Sequence, residues 1–125
     1  MNNNRRIVPI YTTPGDVAAF LYYPFLYNRQ GEWIGWVTPK RDVYSVGGKY
    51  VGWLSDDPRI LRKRIYDYSN PRTEPPHPPP NIRVPATVPL APLMSELTSS
   101  TIDVLHEEPE RLRTLDLDEL REDMD

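Results

Sequence analysis

Two similar heptapeptides, GEWIGWV from Gly31 to Val37 and GKYVGWL from Gly48 to Leu54, decide how this sequence is interpreted. They begin 17 residues apart, and each carries a Gly-Trp pair just before its end. Self-similarity at a fixed spacing is typical of folds built from repeated supersecondary units. The two heptapeptides therefore indicate a domain made of similar pieces that pack against one another.

The repeat extends over three copies, beginning at Tyr11, Tyr27 and Tyr44. In each copy a glycine follows the tyrosine by four residues, and an aromatic residue follows the glycine by five. Each copy predicts a β-hairpin, because the glycine suits a turn with positive φ and the next segment is rich in β-formers. RIYDYSN, residues 64–70, offers a truncated fourth copy with Tyr66 in the tyrosine position.

The repeated residues are the expected contacts between hairpins. Gly35 and Gly52 lie inside predicted strands, where a glycine commonly marks the close approach of another backbone. The aromatic residue that follows each is expected to pack in the core or between units, and a ligand-binding aromatic cage is the alternative. The predicted repeat-packing residues are Tyr11, Gly15, Phe20, Tyr27, Gly31, Gly35, Trp36, Tyr44, Gly48, Gly52 and Trp53.

These repeats, from about Tyr11 to Tyr68, resemble a family of small β-repeat domains called the four-fold beta flower. That resemblance implies hairpins arranged around a pseudo-four-fold axis, and it brings no catalytic residues with it. GEWIGWV and GKYVGWL are also similar to a hairpin of PRC-barrel domains, which are small β-barrels that dock partners. Both resemblances imply a non-catalytic protein, and they favour a bacterial one.

Composition restricts the class of protein. The 125 residues include 15 prolines, where average usage predicts roughly six. Cysteine is absent, which excludes disulfides and thiolate metal sites. No apolar run approaches the roughly 20 residues of a membrane span, and the first residues lack the apolar core of a secretory signal. We therefore expect no membrane insertion and a cytoplasmic location.

Charge and proline content divide the chain into three parts. Residues 1–69 are predicted to form a mainly β, repeat-built domain of three to four hairpins. Residues 70–93 are predicted to form an extended, proline-rich connector, in which Ile82, Val84, Val88, Leu90 and Leu93 lie against this domain or a neighbour. Residues 94–125 form a tail with 3 basic and 11 acidic residues. Short helices are expected in this tail, with apolar anchors at Ile102, Val104, Leu105, Leu112 and Leu115.

A basic run follows the third hairpin. Asp57 and Pro58 predict a short helix through about Arg62, since aspartate caps helices and proline suits their first position. Nucleic-acid binding is one interpretation of this run. A solvated turn, or a docking surface for the protein's own acidic tail, is the other. The candidate docking patch comprises Arg59, Arg62, Lys63 and Arg64.

No catalytic pattern, phosphate loop or metal-ligand spacing is present in the sequence, so we expect neither an enzyme nor a cofactor. The leading hypothesis is an assembly or adaptor protein that self-associates or docks on a larger complex through its β domain and tail. A protein partner or a homo-oligomer is therefore expected. The alternative is a small nucleic-acid-binding domain with an autoinhibitory acidic tail. A third hypothesis is a ligand or enzymatic pocket among the tyrosines and tryptophans.

Overall fold

The computed structural model of the protein describes residues 6–67 and 69–117. Within these residues eight β-strands form one sheet, in which every strand pairs antiparallel with the next. A short helix, α1, spans Val104–Glu107, and a 3₁₀ turn spans Pro109–Arg111. The strands are β1 Val8–Tyr11, β2 Val17–Tyr22, β3 Phe25–Tyr27, β4 Trp33–Val37, β5 Asp42–Ser45, β6 Tyr50–Leu54, β7 Ile60–Lys63 and β8 Thr101–Asp103.

The strands form three hairpins and a fourth antiparallel pair, β7–β8, whose strands are joined by residues 64–100, and the predicted mainly β fold is confirmed. β1–β2, β3–β4 and β5–β6 are the three predicted hairpins, and each has an irregular register at the repeated tyrosine of its first strand, at Tyr11, Tyr27 or Tyr44. One extra residue in the second strand of a hairpin is a β-bulge, which redirects the side chains that follow it. The repeat in the sequence is therefore a repeat of bulged hairpins.

The fourth strand pair differs from the sequence-based expectation of a truncated hairpin. β7 pairs with β8, which lies in the segment assigned to the acidic tail. The expected helix at residues 57–62 is wrong, because Ile60–Lys63 is a strand between β6 and β8. Leu61 lies opposite Trp53, as Tyr44 lies opposite Trp36, so Leu61 and not Tyr66 occupies the tyrosine position of the fourth unit.

One face of the curled sheet encloses an aliphatic core to which the tail contributes. Ile102, Val104 and Leu112 are buried in this core, and the half-buried Leu105 packs against it. Burying an aliphatic side chain stabilises a fold by about 1.5–3 kcal/mol. Leu115 instead packs against a second cluster, formed around Tyr27, Trp33, Trp36 and Val46. Residues 101–112 are thus part of the domain.

The mid-strand glycines mark close approaches between successive hairpins. A Cβ added at Gly35 would overlap the carbonyl oxygen of Tyr44 on β5, and one added at Gly52 would overlap that of Leu61 on β7. Of the aromatic residues that follow these positions in the repeat, Phe20 and Trp36 are buried and Trp53 is half-buried. The repeated glycine therefore allows the backbone of the next hairpin to pass.

The proline-rich connector crosses the turns of the first three hairpins in reverse order. Its Thr73 N–H donates to the carbonyl of Gly48 at 2.8 Å, and its Ile82 N–H donates to that of Gly31 at 2.9 Å. Ala91 then lies beside Gly15. These three connector residues, Thr73, Ile82 and Ala91, are nine positions apart, and a proline precedes each by two residues. The connector is therefore matched to the repeat.

Burial along the connector has the three-residue period of a polyproline II helix. Its half-buried positions include Val88, Ala91, Met94 and Leu97, whereas the residues between them are exposed. Of the five apolar residues expected to lie against the domain or a neighbour, Ile82, Val84 and Val88 are half-buried. The other two do not lie against the domain, since Leu90 is 95% exposed and Leu93 is fully exposed, on the outer side of the connector.

Replacing Gly31 by alanine should destabilise the protein by about 2–3 kcal/mol. Gly31 has a φ of +83°, which costs other residues about 1–2 kcal/mol. The new Cβ would also overlap the Ile82 carbonyl and strain the Ile82–Gly31 hydrogen bond, adding about 1 kcal/mol. Urea denaturation followed by tryptophan fluorescence measures the loss.

Gly15→Ala is the matched control for this prediction. Gly15 also has positive φ, +104°, but the nearest atom to an added Cβ is that of Ala91 at 3.9 Å. This variant should lose only the free energy that a positive φ costs a residue with a side chain. Equal losses in the two variants would show that contact with the connector contributes nothing to stability.

Candidate docking site

A row of aromatic rings crosses the second half of the sheet. Trp36 stacks on Tyr44 with ring centroids 5.2 Å apart, and Tyr44 meets Tyr50 edge to face at 5.9 Å. Tyr50 in turn contacts Tyr66 at 5.1 Å. Offset and edge-to-face pairs add about 0.5–1.5 kcal/mol beyond burial, so each ring of the row is stabilised by its neighbours.

The row ends in an open cavity of about 360 Å³ lined by Tyr50, Trp53, Arg62, Lys63 and Tyr66, here called the aromatic groove. Its three aromatic residues are half-buried and Lys63 is exposed. The groove thus offers ring faces with a cation at its border.

The β-bulge of the third hairpin explains why two of these rings share one side of the sheet. Tyr50 lies opposite Tyr44, whereas Trp53 lies opposite Asp42, because Val51 is the extra residue between them. In a regular strand, residues three apart point to opposite faces. The bulge therefore brings Trp53 to the face that carries Tyr50, and β7 places Lys63 beside them.

The groups that line the aromatic groove are suited to binding. Burial raises the pKa of Tyr50, and the nearby Asp42 carboxylate raises it further, so the phenol is neutral and can donate a hydrogen bond. In residues 6–67 and 69–117 no three His, Asp or Glu side chains are grouped so that they could hold a metal ion. Stacking, apolar contact and hydrogen bonding are the interactions that the groove can make.

The candidate basic patch is not a continuous basic surface. Arg59 is only 1% exposed, and its guanidinium contacts both carboxylate oxygens of Asp57, the shorter distance being 2.7 Å. It also donates to the Thr13 hydroxyl at 2.9 Å and the Ser95 carbonyl at 2.8 Å. Arg59 therefore connects the first hairpin, the loop before β7 and the residues just after the connector.

The other arginines of the patch contact the acidic tail. Arg62, 2% exposed, donates to Glu108 at 2.9 Å, and the exposed Arg64 approaches Glu107 at 3.3 Å. Lys63, between them, lies at the border of the groove. Two interpretations of the basic run were open, nucleic-acid binding and docking of the protein's own tail. These ion pairs favour the second, because their carboxylates belong to the tail.

The pKa values of the carboxylates in these ion pairs are strongly lowered. Burial alone would raise the pKa of Asp57, but hydrogen bonds from Arg59, Ser55 and the Ser95 amide lower it to about 2. Hydrogen bonding from Arg62 is the main reason that the pKa of Glu108 is about 2, with burial opposing and Arg111 assisting. Because both values lie below those of unfolded carboxylates, each pair stabilises the fold above about pH 5 and is lost as the pH falls towards 2.

Sequence reasoning identified Trp53, Arg62 and Lys63 but not the groove that they line. Tyr50 and Tyr66 are not among the site residues that the sequence predicts, because the repeat pattern alone gives no reason for them to share a site. The pairing of β6 with β7 and the bulge at Val51 bring these residues together. A signal for Tyr50 was present in the sequence, since it occupies the same repeat position as Trp33, another aromatic residue.

The fold of the described residues defines a class of protein: a small, curled, antiparallel β domain of four strand pairs. Residues 8–101 match a protein family that is described as "4-fold beta flower protein". The chain therefore belongs to this family, and the resemblance inferred from the Tyr-Gly-aromatic repeat is confirmed. Comparison with curated proteins and with solved structures found no match. No helix among the described residues is long and apolar enough to cross a membrane.

Asp57→Asn should destabilise the protein at pH 7 by about 3–5 kcal/mol, because it leaves the buried Arg59 guanidinium without its counter-charge. As the pH falls below about 4, Asp57 is protonated in the unfolded protein but stays mostly ionised in the folded one, where its pKa is about 2. The wild-type protein therefore loses stability that Asp57→Asn does not have, and the difference between the two should shrink. Urea denaturation at pH 7 and pH 3 measures both values. Asp56→Asn is the control, since that carboxylate is fully exposed and its contact with Arg41 is 3.5 Å. A pH-independent difference would contradict this account.

Proposed function

We propose that the protein is a non-catalytic assembly or adaptor module that binds an extended, proline-containing peptide segment in its aromatic groove. Prolines pack well on aromatic rings, and a polyproline II segment loses little entropy on binding. The cytoplasm is the location that we propose for this function. A protein ligand, and not a small molecule or a cofactor, is the proposed partner.

One observation carries the proposal: Tyr50, Trp53 and Tyr66 leave ring surface accessible in a single groove beside Lys63. The ring contacts from Trp36 to Tyr66 hold two of these side chains in place before any ligand binds. Aromatic residues in preformed pockets contribute much of the binding energy in protein interfaces. A groove of this kind favours an apolar peptide with a few polar contacts.

The tail has a different part in this proposal from the one expected from sequence. Ile102, Val104 and Leu112 are buried in the domain's own core, and Glu108 pairs with Arg62. Residues 102–112, held in this way, are not available as an arm that reaches a partner. The binding surface proposed here therefore lies on β6, β7 and the residues that follow them.

Nucleic-acid binding is the less favoured alternative. Arg59 and Arg62 are buried and face carboxylates, so they add little positive potential at the surface. Phosphate backbones are bound through several accessible lysines and arginines. The described part of the basic run offers Lys63 and the carboxylate-paired Arg64.

Titration of the ¹⁵N-labelled protein with a decaproline peptide tests the proposed function. Chemical-shift changes are expected at the Trp53 indole N–H and at the amides of Tyr50, Lys63 and Tyr66. A Gly-Ser peptide of equal length should cause no shift changes. It lacks the apolar proline rings that would contact the aromatic side chains, and it does not adopt the polyproline conformation.

Two variants make this titration specific to the groove. Tyr66→Ala should weaken decaproline binding by about tenfold or more, corresponding to one lost aromatic contact. Tyr23→Ala, at an exposed tyrosine that does not line the groove, should leave binding unchanged. Absence of shifts at millimolar peptide, or equal weakening in both variants, would overturn the proposal.

A further inference from the structure

The outer side of the connector presents two fully accessible leucines. Leu90 is 95% exposed and Leu93 is 100% exposed, although both belong to a segment whose other side contacts the domain. They are three residues apart, which places them on one side of a polyproline II helix, and Glu96 follows at the same spacing. The segment from Pro89 to Glu96, PLAPLMSE, is here called the leucine ridge.

The domain holds this ridge in an extended conformation at both ends. The Tyr11 hydroxyl donates to the Pro89 carbonyl at 2.7 Å, and Ala91 lies against the turn at Gly15. At the other end the Ser95 N–H donates to Asp57 at 3.0 Å, while its carbonyl accepts from Arg59. A peptide fixed in this way has already lost the conformational entropy that binding would otherwise cost.

The ridge and the aromatic groove are complementary. The ridge offers prolines and leucines in an extended form, which are the groups that the rings of Tyr50, Trp53 and Tyr66 can contact. Glu96 is exposed at one end of the ridge, and Lys63 is exposed at the border of the groove. Apolar contact can thus be accompanied by an ion pair of opposite charges.

We propose that the leucine ridge of one molecule binds in the aromatic groove of a second copy of the same chain. The proposal rests on the function proposed above and names its ligand. Within one molecule the two leucines do not occupy the groove, since their side chains are exposed to solvent. Ridge and groove are different surfaces, so the contact is heterologous and an open assembly has one unfilled ridge and one unfilled groove, at its two ends, until it closes. The expected assembly is a head-to-tail chain or a ring.

Complementary variants of the full-length protein test this arrangement. A ridge variant carries Leu90→Ser and Leu93→Ser, and a groove variant carries Tyr66→Ala and Lys63→Glu. By light scattering across a concentration series, the wild-type protein should grow in mass, while each variant alone should stay monomeric. An equimolar mixture should form a dimer and nothing larger, because it contains one intact ridge and one intact groove per pair.

Other outcomes separate this inference from the proposed function. If either variant alone still assembles like the wild type, or if the mixture stays monomeric while both variants show folded amide spectra, the inference is overturned. Should the groove variant fail to fold, Lys63→Glu alone replaces it, since Lys63 is exposed. If decaproline binds the groove but the wild-type protein is monomeric at millimolar concentration, the ridge is not the ligand and the proposed function stands.

Discussion

The pairing of β7 with β8 determines the course of a large part of the chain. Leu61, Arg62 and Lys63 pair with residues 101–103, so the chain must return to β7 after it has left the sheet. An unpaired β7 would expose a row of backbone donors and acceptors at the sheet edge. The connector is the path of that return, and it runs over the turns of the other three hairpins.

A proline-rich segment is suited to this path for a physical reason. Proline lacks an N–H group, so a connector rich in proline has few donors to satisfy. The donors that face the hairpin turns belong to Thr73 and Ile82, which lie two residues after Pro71 and Pro80. Proline also makes the backbone stiff, and this stiffness keeps the leucine ridge extended. The course of the connector is thereby linked to the proposed assembly.

The three local hairpins could be predicted from sequence, because turn glycine, bulge and strand lie within about 12 residues of one another. The fourth could not, since Leu61 replaces the tyrosine and its partner strand lies beyond the connector. The burial of Arg59 and Arg62 was missed for a similar reason: Ser95 and Glu108, which contact them, are distant in sequence. The aromatic groove also depends on strand pairing, so the sequence does not show that its lining residues lie together.

The central claim is that the connector is an integral part of the folded domain. Native-state hydrogen exchange measures this directly, because amides that open only on global unfolding exchange together. The Thr73 and Ile82 amides, although surrounded by exposed prolines, should be protected to a similar degree as the amides of β3 to β6. Exchange of these two amides at the rate of an unstructured peptide, while the strands stay protected, would contradict the account.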